Sequence, residues 1–302
     1  MRCATIAAML GTRCTVLPSF AVVAATGRDA RTFLQGQLTN DILGLERHPG
    51  MLAASCNRQG RVLATMRLAA QGEDVLLVLQ RALAHTLVAQ LSNFVLRADV
   101  RFEDRGRQLQ VVGLIDAEPD ARWSQAAATA AGLAMLVASP RRILLAGSPA
   151  SLDAALGAVP RTDAADWDRT CIADGEPWIV PATAALWLPQ MLNLDLVGGV
   201  SFSKGCYVGQ EIVARAQHLG QLKRRTLRYA GLPDAQLAPA QALFSGEALA
   251  AQVVASTRDE TATHCLAVVE LRHCSDLLGT KPGGSEFVPA DLPYAIPAPA
   301  TA

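Results

Sequence analysis

At Lys223 the chain changes texture, and no other feature narrows its fold more. Before it, apolar runs of strand length alternate with segments of helical spacing. After it come four short apolar runs, Thr226–Tyr229, Gln241–Phe244, Ala248–Ser256 and Cys265–Leu271. Gly, Pro and Asp separate them, which is the pattern of a small all-β unit, sandwich or barrel. The expected fold class is therefore α+β, with a mixed module followed by a small β unit.

Upstream, Ser19–Ala25 reads as a strand and Arg28–Leu38 as a helix. Met51–Cys56 and Val62–Leu68 flank a tight turn, Asn57-Arg58-Gln59-Gly60. Val75–Leu79 is a strand, and Ala82–Phe94 is a helix with Leu83, Leu87, Leu91 and Phe94 on one face. Val100–Glu103 and Leu109–Ile115 alternate like strands. Pro119 and Gly132 bracket an Ala-rich helix, followed by strands at Ala134–Val137 and Ile143–Ala146 and a helix near Ser151–Leu156. The expected organisation is a tail over 1–15, a two-lobed module over 16–220 with a break near 105–118, and the β unit over 221–278. From Gly279 on, Pro282, Pro289, Pro293, Pro297 and Pro299 predict an extended tail over 279–302.

Lys+Arg and Asp+Glu are 27 each in 302 residues, and only three of the basic residues are Lys. Zero formal charge argues against a protein whose main task is electrostatic attachment to nucleic acid or anionic membrane. The basic run Lys223-Arg224-Arg225 with Arg228 could track phosphates, but it also suits a solvated strand edge. No stretch reaches the roughly 20 apolar residues of a spanning helix, and the first fifteen residues lack the order of a signal peptide. The expected location is cytoplasmic, with no membrane association. The seven Cys are odd in number and none has CxxC spacing, so neither a disulfide framework nor a zinc ribbon is expected. His264-Cys265 and His273-Cys274 stand at an odd offset, which does not point them to one face of a strand. No metal site is assigned. Nucleotide-binding, zinc-protease and serine-hydrolase motifs are absent.

The chemistry concentrates in Gly198–Gly209, which holds four Gly in twelve positions. Dense Gly marks backbone in conformations that side chains forbid, or backbone approaching another group closely. A helix follows, with Val208, Ile212 and Ala216 on one face and Glu211, Arg215 and His218 on another. Glu211 and Arg215 are spaced for an ion pair. The loop would deliver Lys204, Cys206 and Tyr207 to a helix N-terminus, where the dipole and a nearby ammonium favour thiolate. A half-buried Cys in a tight turn, with Lys204 in solvent, is the alternative.

The segment Asn193–Arg225, with Lys-Gly-Cys-Tyr-Val-Gly-Gln-Glu complete at 204–211, resembles the signature of the YgfZ-type family. The resemblance extends to Phe33–Ile42, Cys56–Gly60, Asn93–Arg97, Pro189–Leu194 and Leu292–Ala295. It covers about residues 20–295. That family resembles the aminomethyltransferase of the glycine cleavage system, binds folate and supports iron–sulfur protein maturation. The resemblance implies an aminomethyltransferase-like, folate-binding α+β module with ferredoxin-like lobes, followed by a small β-barrel. Aminomethyltransferases carry acidic residues after the first hairpin where this chain has Ala64 and Thr65, and a further acidic residue where it has Ala173. Aminomethyl transfer is therefore expected to be lost.

The resemblance implies an accessory protein for iron–sulfur cluster assembly or repair in client enzymes, tRNA-modifying enzymes among them, and not an enzyme in its own right. Cys206 is the implied functional thiol, either one ligand of a transient, shared cluster or a redox thiol. Lys204 would favour its thiolate, while Tyr207, Gln210 and Glu211 complete the motif, the last two fixing the loop. Tetrahydrofolate or a related folate is the implied ligand, with Phe20 and Trp167, the latter just before a strand at Ile172, as aromatic walls. Implied partners are iron–sulfur client enzymes and assembly proteins. The alternatives are a folate-dependent one-carbon transferase or demethylase, and an RNA-binding module.

Overall fold

The computed structural model describes residues 11–120, 123–124, 127, 132–218, 222–281, 284 and 286–297. The chain divides into two compact units: the residues up to Ala53 with Met66–Trp167, and Ala54–Thr65 with the residues from Asp168 on. Most of the expected Ala-rich helix lies outside the described residues. No described helix is long and apolar enough to cross a membrane.

The first unit is built on two sheets. Its elements begin with β1 (Arg13–Val16), β2 (Phe20–Thr26) and a short helix α1 (Ala30–Gln35). Next are β3 (Met51–Cys56) and β4 (Val62–Gln71), whose residues 54–56 and 62–65 are counted with the second unit, then β5 (Asp74–Gln80), helix α2 (Arg81–Ser92) and β6 (Arg101–Asp104). Then come β7 (Gln110–Ile115), β8 (Ala134–Ser139), β9 (Arg142–Gly147) and α3 (Pro149–Leu156). One sheet has the order β3-β4-β5-β2-β6 and the other β1-β7-β9-β8. The unbroken apolar run of β2 is buried through Ala25, as expected of a central strand covered on both faces. Ser148 caps α3 by accepting from the Ser151 N–H, and Pro149 opens the helix. On one face of the second sheet, Leu152 and Leu156 of α3 pack with Cys14, Val112, Leu114, Trp123, Ile143 and Leu145. Arg67 is buried on β4 and donates to the carbonyls of Gly50, Val137 and Ala138 at 2.8, 3.2 and 2.7 Å. One guanidinium thus ties β4 in the first sheet to β8 in the second.

The strand at Arg13–Val16 corrects the expected tail over 1–15: Arg13 is already paired with Ile115 of β7.

Helix α4 (Ala164–Ala173) carries both Trp167 and Ile172, so Trp167 is a helical residue and not the approach to a strand. In the second unit, Trp187 and Ala185 pair through their backbones with Val62 at 2.9 and 2.8 Å. Helix α5 (Gln210–His218) precedes the barrel strands β10 (Arg224–Gly231), β11 (Ala242–Ser245), β12 (Ala248–Arg258), β13 (Thr263–Glu270), β14 (Leu278–Gly279) and β15 (Glu286–Ala290). They close in the order β10-β13-β12-β11-β14-β15 around Tyr229, Leu243, Val253, Cys265, Val269 and Phe287. The expected tail over 279–302 is corrected here. Its residues 286–290 form β15, which pairs with both β14 and β10 and so completes the barrel. Proline removes one ladder donor but accepts extended backbone, so Pro289 opposite Tyr229 is tolerated.

Candidate functional site

In the second unit, the loop before α5 is fixed by backbone against backbone. Gly209 has φ +83°, and a Cβ there would stand 2.9 Å from Gly60 Cα and closer still to the Asn57 carbonyl. Gly60 has φ +71°, and its own Cβ would stand 3.2 Å from the Gly209 carbonyl. Only glycine permits this approach at either position. The Asn57 side chain organises the opposing turn, accepting from the Gln59 and Arg61 N–H groups at 3.0 and 2.9 Å.

This contact presents Cys206. The thiol is exposed, and a Cβ on the preceding Gly205 would meet nothing within 4 Å. Tyr207, one residue on, is buried. Its phenol pKa is pushed up, first by burial and second by the neighbouring Cys56. Cys56 is itself buried, which pushes its thiol up to about 12. The two thiols near Tyr207 thus differ: Cys206 is open, Cys56 is sealed and protonated at neutral pH.

Four expectations for the segment need correcting. Lys204 is largely buried, and its ammonium lies 5.2 Å above the Tyr207 ring, a cation–π contact and not a bond to the Cys206 sulfur. Helix α5 begins at Gln210, four residues beyond Cys206, so its first turn is organised around Gly209, whose carbonyl accepts from Val213. Gln210 and Glu211 fix nothing with their side chains among the described residues. The loop is held by the Gln210 N–H on the Tyr207 carbonyl at 3.1 Å and by the glycine contact. Glu211 and Arg215 make no ion pair with each other, and both are exposed. The buried residue of α5 is Val213, while Ile212 is 37% exposed. The glycine contact sets the helix rotation, since Gly60 faces Val213 and Ile212 together.

Behind the loop is a buried polar network that sequence reasoning did not assemble. Gln190 Nε2 donates to the Val213 carbonyl at 2.7 Å, inside α5. The Gln190 carbonyl accepts from Arg225 at 2.9 Å, and Arg225 forms a bidentate pair with Asp195 at 2.7 and 3.0 Å. Asn193 donates to the Thr226 carbonyl at 2.7 Å and to the Tyr294 hydroxyl at 3.3 Å, and Tyr294 donates to the Gly175 carbonyl at 3.0 Å. The stretches Pro189–Leu194 and Leu292–Ala295 therefore share one network. The same bonds deplete the basic run: Arg225 is paired inside, Arg224 pairs with Glu270 at 2.7 Å, and Arg228 donates to the Asp291 carbonyl.

The two positions of lost transferase carboxylates after the first hairpin and the two nominated folate walls are all closed. Ala64 and Thr65 are buried. The Thr65 hydroxyl donates to the Pro177 carbonyl and accepts from the Ile179 N–H, both at 3.1 Å. It serves as a backbone fastener where a transferase would carry a carboxylate. Phe20 is 1% and Trp167 0% exposed. Neither offers an open ring face for stacking, so the two do not fit the role of pteridine walls.

No protein-family model matches the chain. Among curated proteins, one named tRNA-modifying protein YgfZ, from Pectobacterium carotovorum subsp. carotovorum strain PC1, is 32% identical over 230 residues, covering 71% of this chain and 69% of that protein. Its namesake from Colwellia psychrerythraea is 29% identical over 222 residues, covering 69% and 68%. That from Escherichia coli O7:K1 is 29% identical over 238 residues, covering 72% and 73%. Among solved structures, the glycine cleavage system aminomethyltransferase T from Bartonella henselae superposes with a TM-score of 0.71 over 93% of this chain and 86% of that one, at 14% identity. The fold is thus that of an aminomethyltransferase with a closed six-stranded C-terminal barrel.

Proposed function

The chain belongs to the family of bacterial proteins named tRNA-modifying protein YgfZ, and from that premise we propose that it is an accessory protein for iron–sulfur cluster assembly or repair in client enzymes, tRNA-modifying enzymes among them. The observation that carries the proposal is the exposed, unpartnered thiol of Cys206, set on a loop whose backbone is locked by Gly209 against Gly60. An iron–sulfur cluster takes four thiolates in its usual sites, so one Cys cannot retain it. Cys206 would serve as one ligand in a site completed by the partner, with the cluster as cargo, or as a thiol that exchanges with the partner. Rigid presentation favours either role, because the loop need not be ordered when the partner arrives.

The folate part of the reading rests on the sequence resemblance and on the shared fold. Tetrahydrofolate is the proposed ligand class, without Phe20 or Trp167 as its walls. Action in the cytoplasm is part of the same proposal. Aminomethyl transfer is disfavoured, since Ala64 and Thr65 supply no carboxylate to position an amine.

Deletion of the gene tests the proposal. A cluster-dependent tRNA-thiolating enzyme should lose activity in the deletion strain and regain it with the wild-type chain. Undiminished thiolation in the deletion strain would remove the function. Product formation from tetrahydrofolate and an amine donor by the purified chain would restore the transferase alternative.

A further inference from the structure

Trp167 lies over Gly113 of β7. A Cβ on Gly113 would stand 2.8 and 2.9 Å from Cδ2 and Cζ3 of the indole, and closer still to Cε3. Gly113 has no positive φ and sits inside a regular antiparallel ladder, paired with Thr15 on β1 and Leu144 on β9. Its lack of a side chain is therefore explained by the ring above it and not by backbone conformation. Arg142 of β9 is buried, and its guanidinium lies 5.1 Å from the centroid of the same indole. Ile115, two residues from Gly113, is the cross-strand partner of Arg142, so Gly113 and Arg142 address Trp167 from one face of the sheet. The residue before Trp167 is fastened as well: Asp166 accepts from Arg13 at 2.9 Å and from the Thr162 hydroxyl.

We infer that Gly113, Arg142 and Trp167 form a framework clamp that seats the first turn of α4 on the sheet β1-β7-β9-β8, and that Trp167 does not touch a flat ligand. A ring with no exposed surface, seated on a sheet and carrying a buried cation, cannot stack on a pteridine unless that packing opens. The clamp is independent of the role of Cys206 and stands or falls apart from it.

The test uses the full chain labelled with 5-fluorotryptophan. It has four tryptophans, and the Trp167 resonance is the one that disappears in Trp167→Phe. Should that variant fail to fold, the assignment comes by elimination from the other three replacements. On titration with tetrahydrofolate, the Trp167 resonance should stay put or move less than the largest shift among Trp123, Trp178 and Trp187. Gly113→Ala should lower the thermal midpoint and displace the Trp167 resonance without ligand. A saturable shift of Trp167 larger than that of every other tryptophan overturns the inference. So does a Gly113→Ala variant with unchanged midpoint and unchanged Trp167 resonance.

Discussion

Gly209 and Gly60 meet backbone to backbone, so that a Cβ on Gly209 would stand 2.9 Å from Gly60 Cα. Two stretches far apart in the chain, Cys56–Gly60 and Gly205–Gln210, are thereby made into one structure, and Cys206 rides on it. Gly209→Ala should disrupt both. The left-handed backbone alone costs about 1–2 kcal/mol for a residue with a Cβ, and displacement of the Asn57 turn adds to that. Thermal unfolding should show a lower midpoint, and limited proteolysis should cut near 205–210 faster than in wild type. Unchanged values for both would remove the contact as the cause of the loop's order.

Cys206 and Cys56 should separate cleanly in alkylation. Iodoacetamide at neutral pH should label Cys206 on the folded protein, and leave Cys56 and Cys265 unmodified until denaturant is added. Burial pushes both of the latter up to about 12. Peptide mass spectrometry reads the outcome. Labelling of Cys56 before Cys206 would contradict the placement of both.

Those same thiols fix an alkaline limit. Each is raised from the ordinary thiol value of 9.0 to about 12 in the folded protein. The neutral form is favoured in the folded state, so the stabilisation is present in full below pH 9. Above it the unfolded chain sheds protons that the folded chain retains, and stability falls between pH 9 and about 12. Urea unfolding midpoints should decline across that window, and Cys56→Ala should flatten the decline. A pH-independent midpoint from 9 to 11 would refute the assignment.

Lys204 braces Tyr207. Lys204→Met keeps the length of the stem and removes the charge, so it should cost about 1 kcal/mol of cation–π stabilisation. Cys206 alkylation by iodoacetamide at neutral pH should proceed at the wild-type rate, since the Lys204 ammonium lies over the Tyr207 ring. A clearly slower reaction would return Lys204 to the role of thiolate support.

The pair Arg225–Asp195 is buried, with side-chain exposures of 9% and 5%. Breaking it strands a charge, so Asp195→Ala should cost about 3–5 kcal/mol. A double replacement with Arg225→Met should cost less than the sum of the two single changes. Equal and additive costs, read from denaturant unfolding, would show the two side chains to be uncoupled.

Much of this was legible in sequence. The change of texture at Lys223 marks the barrel because strand periodicity and turn residues are local signals. Strand β15 was not legible: prolines argue against helix but do not distinguish a free extended segment from one that completes a barrel. The loop around Cys206 was legible as constrained, from its glycine density. Its constraint comes from Gly60, which a local reading assigns only to a hairpin turn. The buried face of α5 follows from that contact as well: helical spacing groups Val208, Ile212 and Ala216 on one face, but packing buries Val213. Lys204 stands two residues from Cys206 in sequence, yet the Tyr207 ring takes its charge. Trp167 shows the same limit: an aromatic at a nominated position reads as a wall until Gly113, on a distant strand, is seen beneath it.

Cys206→Ser replaces one atom and leaves Gly209, Gly60 and Tyr207 in place. In a deletion strain carrying this variant at wild-type abundance, tRNA thiolation by a cluster-dependent enzyme should fall to the level of the empty strain, while the purified variant unfolds at the wild-type temperature. Thiolation equal to wild type would show that the exposed sulfur carries no part of the function.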